Sequence, residues 1–271
     1  MLLSTVFILR PLADTTLPMT LGNAFYTAFL QLVAEHDPEL ATWLHDANGP
    51  KPFTTSPLQG PVAVRDKQLH LQPDQDYWLR VTSIDARLSR TLSALEAQPP
   101  PTLRLHNGRF AVTQVTSQPQ VHLWAACVPY DALYEATLAH EMRSRPQVSL
   151  VFESPTAFRS QGRTTVFPLP RLVFGSLMSR WNHYAPFPLD EDLIDVLDAA
   201  IDVDRYDLKT QMQNFGRYQL QIGFVGQCTF GARKDVEAEV VWCMRLLAQF
   251  AFFAGVGYRT TMGMGQVRLQ V

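Results

Sequence analysis

His45 and Lys51 stand six positions apart in the stretch Leu44-His45-Asp46-Ala47-Asn48-Gly49-Pro50-Lys51-Pro52-Phe53. Histidine, with an ordinary pKa of about 6.5, gives or takes a proton at neutral pH, while lysine stays charged. Together they suit general acid–base work on a group that gains negative charge in the transition state, such as a phosphate. The Asn48-Gly49-Pro50 turn between them can fold both side chains toward one cleft. The competing reading of His45 is structural, because a histidine in the last turn of a helix is stabilised by the helix dipole. His36 is its rival for the proton-transfer role.

The second chemically suggestive stretch is Gly255-Val-Gly-Tyr-Arg-Thr-Thr-Met-Gly-Met-Gly265, with four glycines around Arg259 between an apolar helix and a terminal strand. Glycine is retained where the backbone takes positive φ or lies close to another backbone, so this loop suits a phosphate chain. The alternative is a joint, with Gly255 and Gly257 ending the helix and Gly263 and Gly265 turning into the last strand. Two familiar phosphate loops are excluded. The dinucleotide fingerprint needs a strand before it and a helix after it, and the Walker loop needs Gly-Lys-Ser/Thr. His70, His106, His122, His140 and His183 have no acidic partner at metal-ligand spacing, so no metal is expected. No Gly-x-Ser-x-Gly elbow occurs.

The chain of 271 residues is 46% hydrophobic, enough for a full core, and its length suggests two domains. Cys127, Cys228 and Cys243 are odd in number and widely spaced, and read as reduced core residues of a cytoplasmic protein. The N-terminus lacks a basic leader, and the apolar stretch from Val240 to Val256 is interrupted by Arg245 and Gln249, so no membrane role is expected. A net charge of −2 argues against indiscriminate nucleic-acid binding. Its distribution is uneven. Ser154 to Leu189 holds Arg159, Arg163, Arg171 and Arg180 with no acid, and eight acids crowd Asp190 to Asp207. A local basic face on a near-neutral protein would bind a polyanion selectively; ordinary solvated faces are the alternative.

The elements that must position these residues follow from periodicity and punctuation. A buried strand is expected over Thr5–Leu9, a helix from Asn23 with Phe25, Phe29 and Leu32 on one face, and a second helix capped by Asp37 with Pro38 in its first turn, ending near Asn48-Gly49-Pro50. Strands follow over Phe53–Leu58, Gln68–Leu71 and Tyr77–Thr82, then a helix through Ile84, Leu88, Leu92 and Leu95, then two strands around an Asn107-Gly108 turn. This is the βαββαβ pattern. A similar order restarts with a strand over Val121–Val128, a helix over Tyr130–His140, strands over Gln147–Phe152 and Thr164–Pro168, and helices over Leu169–Trp181 and Glu191–Ile201. A hairpin of Tyr206–Met212 and Tyr218–Phe230 across Asn214-Phe215-Gly216 comes next, then a long helix capped by Asp235. The fold class expected is α+β with tandem ferredoxin-like domains, 1–117 and 118–271.

The terminal Gly-apolar-Gly, five residues, Gly-apolar-Gly pattern resembles the signature of the CRISPR-associated repeat-processing endoribonucleases of the RAMP superfamily. Phe152-Glu-Ser-Pro-Thr-Ala-Phe158, Phe167-Pro-Leu-Pro-Arg171 and Ser176-Leu-Met-Ser-Arg-Trp181 resemble that family too, in the right order. The resemblance implies tandem ferredoxin-like domains and metal-independent cleavage of CRISPR precursor RNA within repeats. The RNA's own 2′-hydroxyl would attack, leaving a 5′-hydroxyl and a 2′,3′-cyclic phosphate. It further implies His45 as general acid or base, Lys51 as transition-state stabiliser and Tyr26 as a third catalytic group, although Tyr26 sits with Phe25 and Phe29 and also fits the core. For RNA binding it implies Gly255, Gly257, Arg259, Gly263 and Gly265, with Arg159 and Arg163. The expected partner is CRISPR repeat RNA, with an effector complex as a second one, no cofactor, and a monomer or homodimer. The alternative is a non-catalytic RNA-binding subunit of a CRISPR effector complex, with a small-molecule enzyme on the same fold ranking behind it.

Overall fold

The computed structural model describes residues 1–19, 21–138, 146–160, 162–215 and 220–270. In chain order the elements begin β1 (Leu2–Pro11), β2 (Thr15–Pro18), α1 (Gly22–His36), α2 (Pro38–Asp46), β3 (Phe53–Thr55), β4 (Ala63–Arg65), β5 (Gln68–Leu71) and β6 (Tyr77–Ser83). They continue with α3 (Ala86–Ala97), β7 (Thr102–Leu105), β8 (Gly108–Thr116), β9 (Ala126–Val128), α4 (Tyr130–Leu138), β10 (Gln147–Thr156), β11 (Phe158–Ser160) and β12 (Arg163–Thr165). The last are α5 (Pro170–Tyr184), α6 (Leu193–Ala200), β13 (Ile201–Asn214), β14 (Leu220–Ala232), α7 (Ala238–Ala254) and β15 (Val267–Leu269). The architecture is α+β.

Contacts divide the chain into two units. The first comprises Met1–Cys127, Asn214–Gln221 and Thr261–Gly263; the second comprises Val128–Gln213, Ile222–Thr260 and Met264–Val271. By these contacts the first unit runs on to Cys127, because the run after 117 is tied into the first sheet. Thr5 Oγ1 lies 2.9 Å from Ser117 Oγ, the Ser4 hydroxyl donates to the Trp124 carbonyl, and β9 pairs with β1.

In the first unit the sheet runs β3-β6-β1-β8-β7, antiparallel at each registered pair. Its first four positions hold the second, third, first and fourth strands of a βαββαβ unit, the ferredoxin-like order. β1 is buried on both faces, which explains its poor alternation in sequence. Helices α1 to α3 supply Phe25, Phe29, Leu32, Leu40, Leu44, Leu88, Leu92 and Leu95 to a core that also takes Phe7, Phe53, Tyr77 and Phe110. Asp37 accepts from the Leu40 amide at 3.0 Å and caps α2, as expected.

Several expectations are corrected here. Val121–Val128 is a strand only over β9, because a turn and a bridged Gln118–Ala125 run replace its first half. The β7–β8 turn sits at His106-Asn107, with His106 at φ 55 and Gly108 already in the strand. The small sheet β2-β5-β4 went unforeseen, since its strands are three or four residues long and β4 is wholly exposed. Cys127 is exposed on β9 rather than part of the core, while Cys228 and Cys243 are buried.

The second unit's main sheet runs β13-β14-β10-β15, again second, third, first and fourth. Its core is aromatic: Trp181 meets Phe250 at 5.1 Å and Tyr130 at 5.3 Å between ring centroids, and Phe152 meets Phe224 at 4.9 Å. α7 is capped at Glu237 without a side-chain bond, not by Asp235. Ile201, expected to end a helix, opens β13. Thr164–Pro168 is a strand only as far as Thr165. The residues expected at 139–140 of α4 and at Gly216 and Tyr218 of the β13–β14 connection lie outside the described residues. No helix among the described residues is long and apolar enough to cross a membrane.

Candidate active site

The first unit places Tyr26, His45 and Lys51 around one corner. α1 ends where Asp37 turns the chain, and Pro38 in the first turn starts α2, because proline tolerates that position and no later one. α2 runs only to Asp46, and the chain then turns back so that Lys51 precedes β3. That return is anchored by the Ile84 amide donating to the Pro52 carbonyl at 2.9 Å, and by β3 pairing with β6, Phe53 opposite Ser83.

The Lys51 ammonium donates to the Leu44 carbonyl at 2.8 Å and the His45 carbonyl at 2.9 Å. It therefore closes the C-terminal end of α2, where carbonyls lack helical partners and the dipole favours a cation. An ammonium has three N–H donors, so one remains for an anion. Burial holds the Lys51 pKa below the ordinary lysine value, with Asp46 opposing. The His45 side chain is exposed at the same helix end, its ring centroid 6.5 Å from that of Tyr26. Tyr26 stacks on Phe53 at 6.0 Å, and burial, with Asp46 second, raises its pKa above the ordinary tyrosine value. Its hydroxyl thus stays protonated at neutral pH. Tyr26 is also packed against the core, so both of its readings describe the geometry. His36 is elsewhere engaged: its Nδ1 lies 3.1 Å from the Leu32 carbonyl of its own helix.

The glycine loop has a dual character. Gly255 (φ 65), Gly257 (φ 84), Gly263 (φ 90) and Gly265 (φ 69) all take positive φ, as does Arg259 (φ 56). A Cβ on Gly257 would stand 2.4 Å from the Ala157 carbonyl oxygen, and one on Gly265 would stand 2.1 Å from that of Val256. The Val256 amide donates to the Gly265 carbonyl at 3.0 Å, the Gly265 amide to Pro155 at 3.1 Å and the Tyr258 amide to Ala157 at 2.9 Å. The glycines thus let the backbone fold on itself, and these three amides are engaged internally.

A residue not singled out as a site from sequence holds the loop from beneath. The Arg180 guanidinium, on α5, donates to the Gly255 carbonyl at 3.2 Å and the Gly257 carbonyl at 3.0 Å, with Thr260 Oγ1 at 3.4 Å. It is only 9% exposed, and burial lowers its pKa to about 10. Its sequence signal was its place on the apolar stripe of α5, with Val173, Phe174, Leu177 and Trp181. Above it, Tyr258 gathers two further arginines. The Arg259 guanidinium carbon lies 5.3 Å and that of Arg159 5.8 Å from the Tyr258 ring centroid, and Arg159 Nη1 is 3.4 Å from the Tyr258 hydroxyl. Hydrogen bonding from Arg259, then the pull of Arg159, holds the Tyr258 pKa below its ordinary value against burial. Arg163 sits exposed on the same β11–β12 hairpin, opposite Ser160, while Arg159 is opposite Thr164. Gly263 belongs to the first unit, where a Cβ would meet the Pro57 nitrogen at 3.3 Å.

Two ferredoxin-like units, one with an exposed histidine beside a helix-bound lysine and one with a glycine loop carrying an arginine–tyrosine cluster, define a RAMP-type architecture. The family model of the CRISPR Cas6 N-terminal domain matches residues 1–135, and that of the CRISPR-associated endoribonuclease Cas6 matches residues 150–267. The chain belongs to the Cas6 family of CRISPR-associated endoribonucleases.

A CRISPR-associated endoribonuclease Cas6 of Streptococcus thermophilus is 32% identical over 126 residues, 45% of this chain and 50% of that protein. One of Mycobacterium tuberculosis is 31% identical over 120 residues, 44% of this chain and 37% of that protein. The aligned part thus spans half or less of these curated relatives. A solved Cas6 product complex is similar over 100% of both chains, with a TM-score of 0.81 and 28% identity. Thermus thermophilus Cas6 is similar over 100% of this chain and 98% of its own, with a TM-score of 0.72 and 26% identity. A RAMP protein described as binding different RNA substrates shares the fold, with a TM-score of 0.62 and 16% identity.

Proposed function

We propose that this protein is an endoribonuclease that cuts CRISPR precursor RNA within its repeats, by attack of the RNA's 2′-hydroxyl on the adjacent phosphate without a metal ion. The observation that carries this reading is Lys51 bound at the carbonyl end of α2 beside the exposed His45, with Tyr26 against the histidine ring. Three tasks need groups: deprotonating the 2′-hydroxyl, protonating the 5′-oxygen leaving group and stabilising the phosphate as its charge grows. His45 serves one proton transfer, Lys51 directs its remaining N–H to the phosphate, and Tyr26, kept protonated, donates a proton or a hydrogen bond. The P–O bond to the 2′-oxygen forms as that to the 5′-oxygen breaks, so the products are a 2′,3′-cyclic phosphate and a 5′-hydroxyl.

In this reading an N-terminal domain of residues 1–117 supplies catalysis, and residues 118–271, which hold the glycine loop and its arginines, supply RNA binding. Arg159 and Arg259, held by Tyr258, contact backbone phosphates, with Arg163 further along the hairpin. Gly255, Gly257, Gly263 and Gly265 shape the loop over which the RNA lies. Repeat RNA is the partner, an effector complex would receive the product, and monomer and homodimer both accommodate the reading. Two buried cysteines and a third that is also free fit a cytoplasmic protein.

The test is cleavage of labelled repeat RNA in excess EDTA by the native protein and by His45→Ala. Cutting at one site to a cyclic phosphate, lost in the variant while RNA binding persists, is the expected result. RNA binding without cutting by the native protein would favour the non-catalytic effector subunit.

A further inference from the structure

Three residues of the glycine stretch, Thr261–Gly263, belong to the first unit, where they meet α1, which carries Tyr26, and the β3 segment that Lys51 leads into. The Met262 carbonyl lies so close to Gly22, the first residue of α1, that a Cβ there has no room, and Tyr26 is one turn further along that helix. A Cβ on Gly263 would stand 3.3 Å from the nitrogen of Pro57, two residues beyond β3. Between these two close approaches the Thr55 hydroxyl donates to the Thr261 carbonyl at 2.9 Å. Thr55 is fully buried at the end of β3, opposite Val81 of β6. It shares a face of that strand with Phe53, on which Tyr26 stacks, and Lys51 stands two residues before the strand begins.

Resting on the cleavage reading above, we propose that Thr55 is a positioning residue for RNA cleavage. Its hydroxyl fixes the Thr261–Gly263 turn against β3, and so fixes which phosphate of an RNA lying over Gly263 comes to Lys51 and His45. Close approach of two backbones sets a distance but leaves the turn free to slide along the strand, whereas a hydrogen bond is directional and sets a register. Fully buried, the hydroxyl acts through the turn and not on the RNA itself. A reacting group misplaced by about 1 Å costs up to about 100-fold in rate, so one register-setting bond is enough to matter.

The test is single-turnover cleavage of end-labelled repeat RNA by saturating full-length protein, comparing the native chain with Thr55→Val, Thr55→Ala and Thr55→Ser, alongside RNA affinity measured by filter binding. Thr55→Val should bind RNA within about threefold of the native protein, cut about tenfold more slowly and spread its cuts onto neighbouring phosphates. Thr55→Ala, which lacks the hydroxyl without placing a second methyl in a buried site, should do the same. Thr55→Ser, which keeps the hydroxyl, should restore the native rate and the single cut. A merely structural role would lower the fraction of active protein, seen in the amplitude, and leave the rate constant and the cut site alone. That outcome, a slowing accounted for by weaker RNA binding, or Thr55→Ser as slow as Thr55→Val would overturn the proposal. Native protein that binds RNA without cutting would refute the cleavage reading and this role with it, whereas native cutting matched by Thr55→Val would refute the role of Thr55 alone.

Discussion

Replacing Arg180 by methionine removes the fork under the glycine loop while keeping the length of the side chain. Two carbonyls, those of Gly255 and Gly257, lose donors at 3.2 and 3.0 Å. A stranded buried acceptor costs about 1–3 kcal/mol, so the two together would cost about 2–6 kcal/mol. Against this, the variant no longer buries a cation, an expense visible in the Arg180 pKa of about 10. The balance expected for Arg180→Met is a loss of about 2–3 kcal/mol. Arg180→Lys, which keeps the charge but offers a point donor in place of a planar fork, should lose about half of that. Urea unfolding followed by tryptophan fluorescence measures both. Repeat-RNA affinity should fall with the loop's order, although Arg180 is itself too buried to serve as a phosphate contact. A variant within about 0.5 kcal/mol of the native protein, with unchanged RNA affinity, would show that the loop holds its shape without this arginine and would refute the reasoning.

Other expectations follow from the same geometry. Gly265→Ala places a Cβ against the Val256 carbonyl at a positive φ and should lower stability by more than about 2 kcal/mol; Gly162→Ala, also at positive φ but in open space, should lose only about 1 kcal/mol, and thermal unfolding compares them. Tyr258 should ionise below the ordinary tyrosine range, seen as an early step at 295 nm that Tyr258→Phe removes. Because its folded pKa is depressed, the stability Tyr258 contributes by ionising is full above its unfolded pKa of about 10 and lost as pH falls through the folded value. Lys51→Met should lose about 1–2 kcal/mol from α2 and slow cleavage at least ~100-fold; a rate loss matched by the unfolded fraction alone would leave Lys51 as a helix cap only.

Much of this arrangement was legible because it is local. The Asp37-Pro38 corner is fixed by a cap and a ring, so α1 and α2 were readable to within a residue or so at their junction. The first βαββαβ order emerges from runs of apolar residues punctuated by proline and glycine, whereas the second begins at β10 and not at Val121–Val128, because β9 pairs with β1; the resemblance at the terminal loop carried the family. What escaped was non-local. Lys51 was readable as a cation near His45, but its bonds to the Leu44 and His45 carbonyls depend on how the chain returns to β3. Arg180 lies far in sequence from the glycines it supports, and only its position on a buried helical stripe hinted at a role. Within Val121–Val128 only Trp124 and Ala125 are buried while Val121 and Leu123 are exposed, so its apolar run misleads as a strand signal. Tyr258 between Gly257 and Arg259 was visible, whereas the approach of Arg159 from another hairpin was not.

The membership of Thr261–Gly263 in the first unit has a consequence for the order of assembly. The Thr55 hydroxyl donates to the Thr261 carbonyl at 2.9 Å across 206 positions, and a Cβ on Gly22 would stand 2.2 Å from the Met262 carbonyl oxygen. A ribosome releases those three residues some 206 positions after Thr55, so the first unit waits for most of the second unit's sequence before these contacts exist. Closure over such a separation is slow, because loop entropy must be overcome before the contact returns anything. A fragment ending at Cys127 would keep β1 to β8 and the residues Tyr26, His45 and Lys51, yet lack the closing piece. Supplying the missing piece in trans, as the rest of the chain, should restore the fragment's native protection from hydrogen exchange around Thr55.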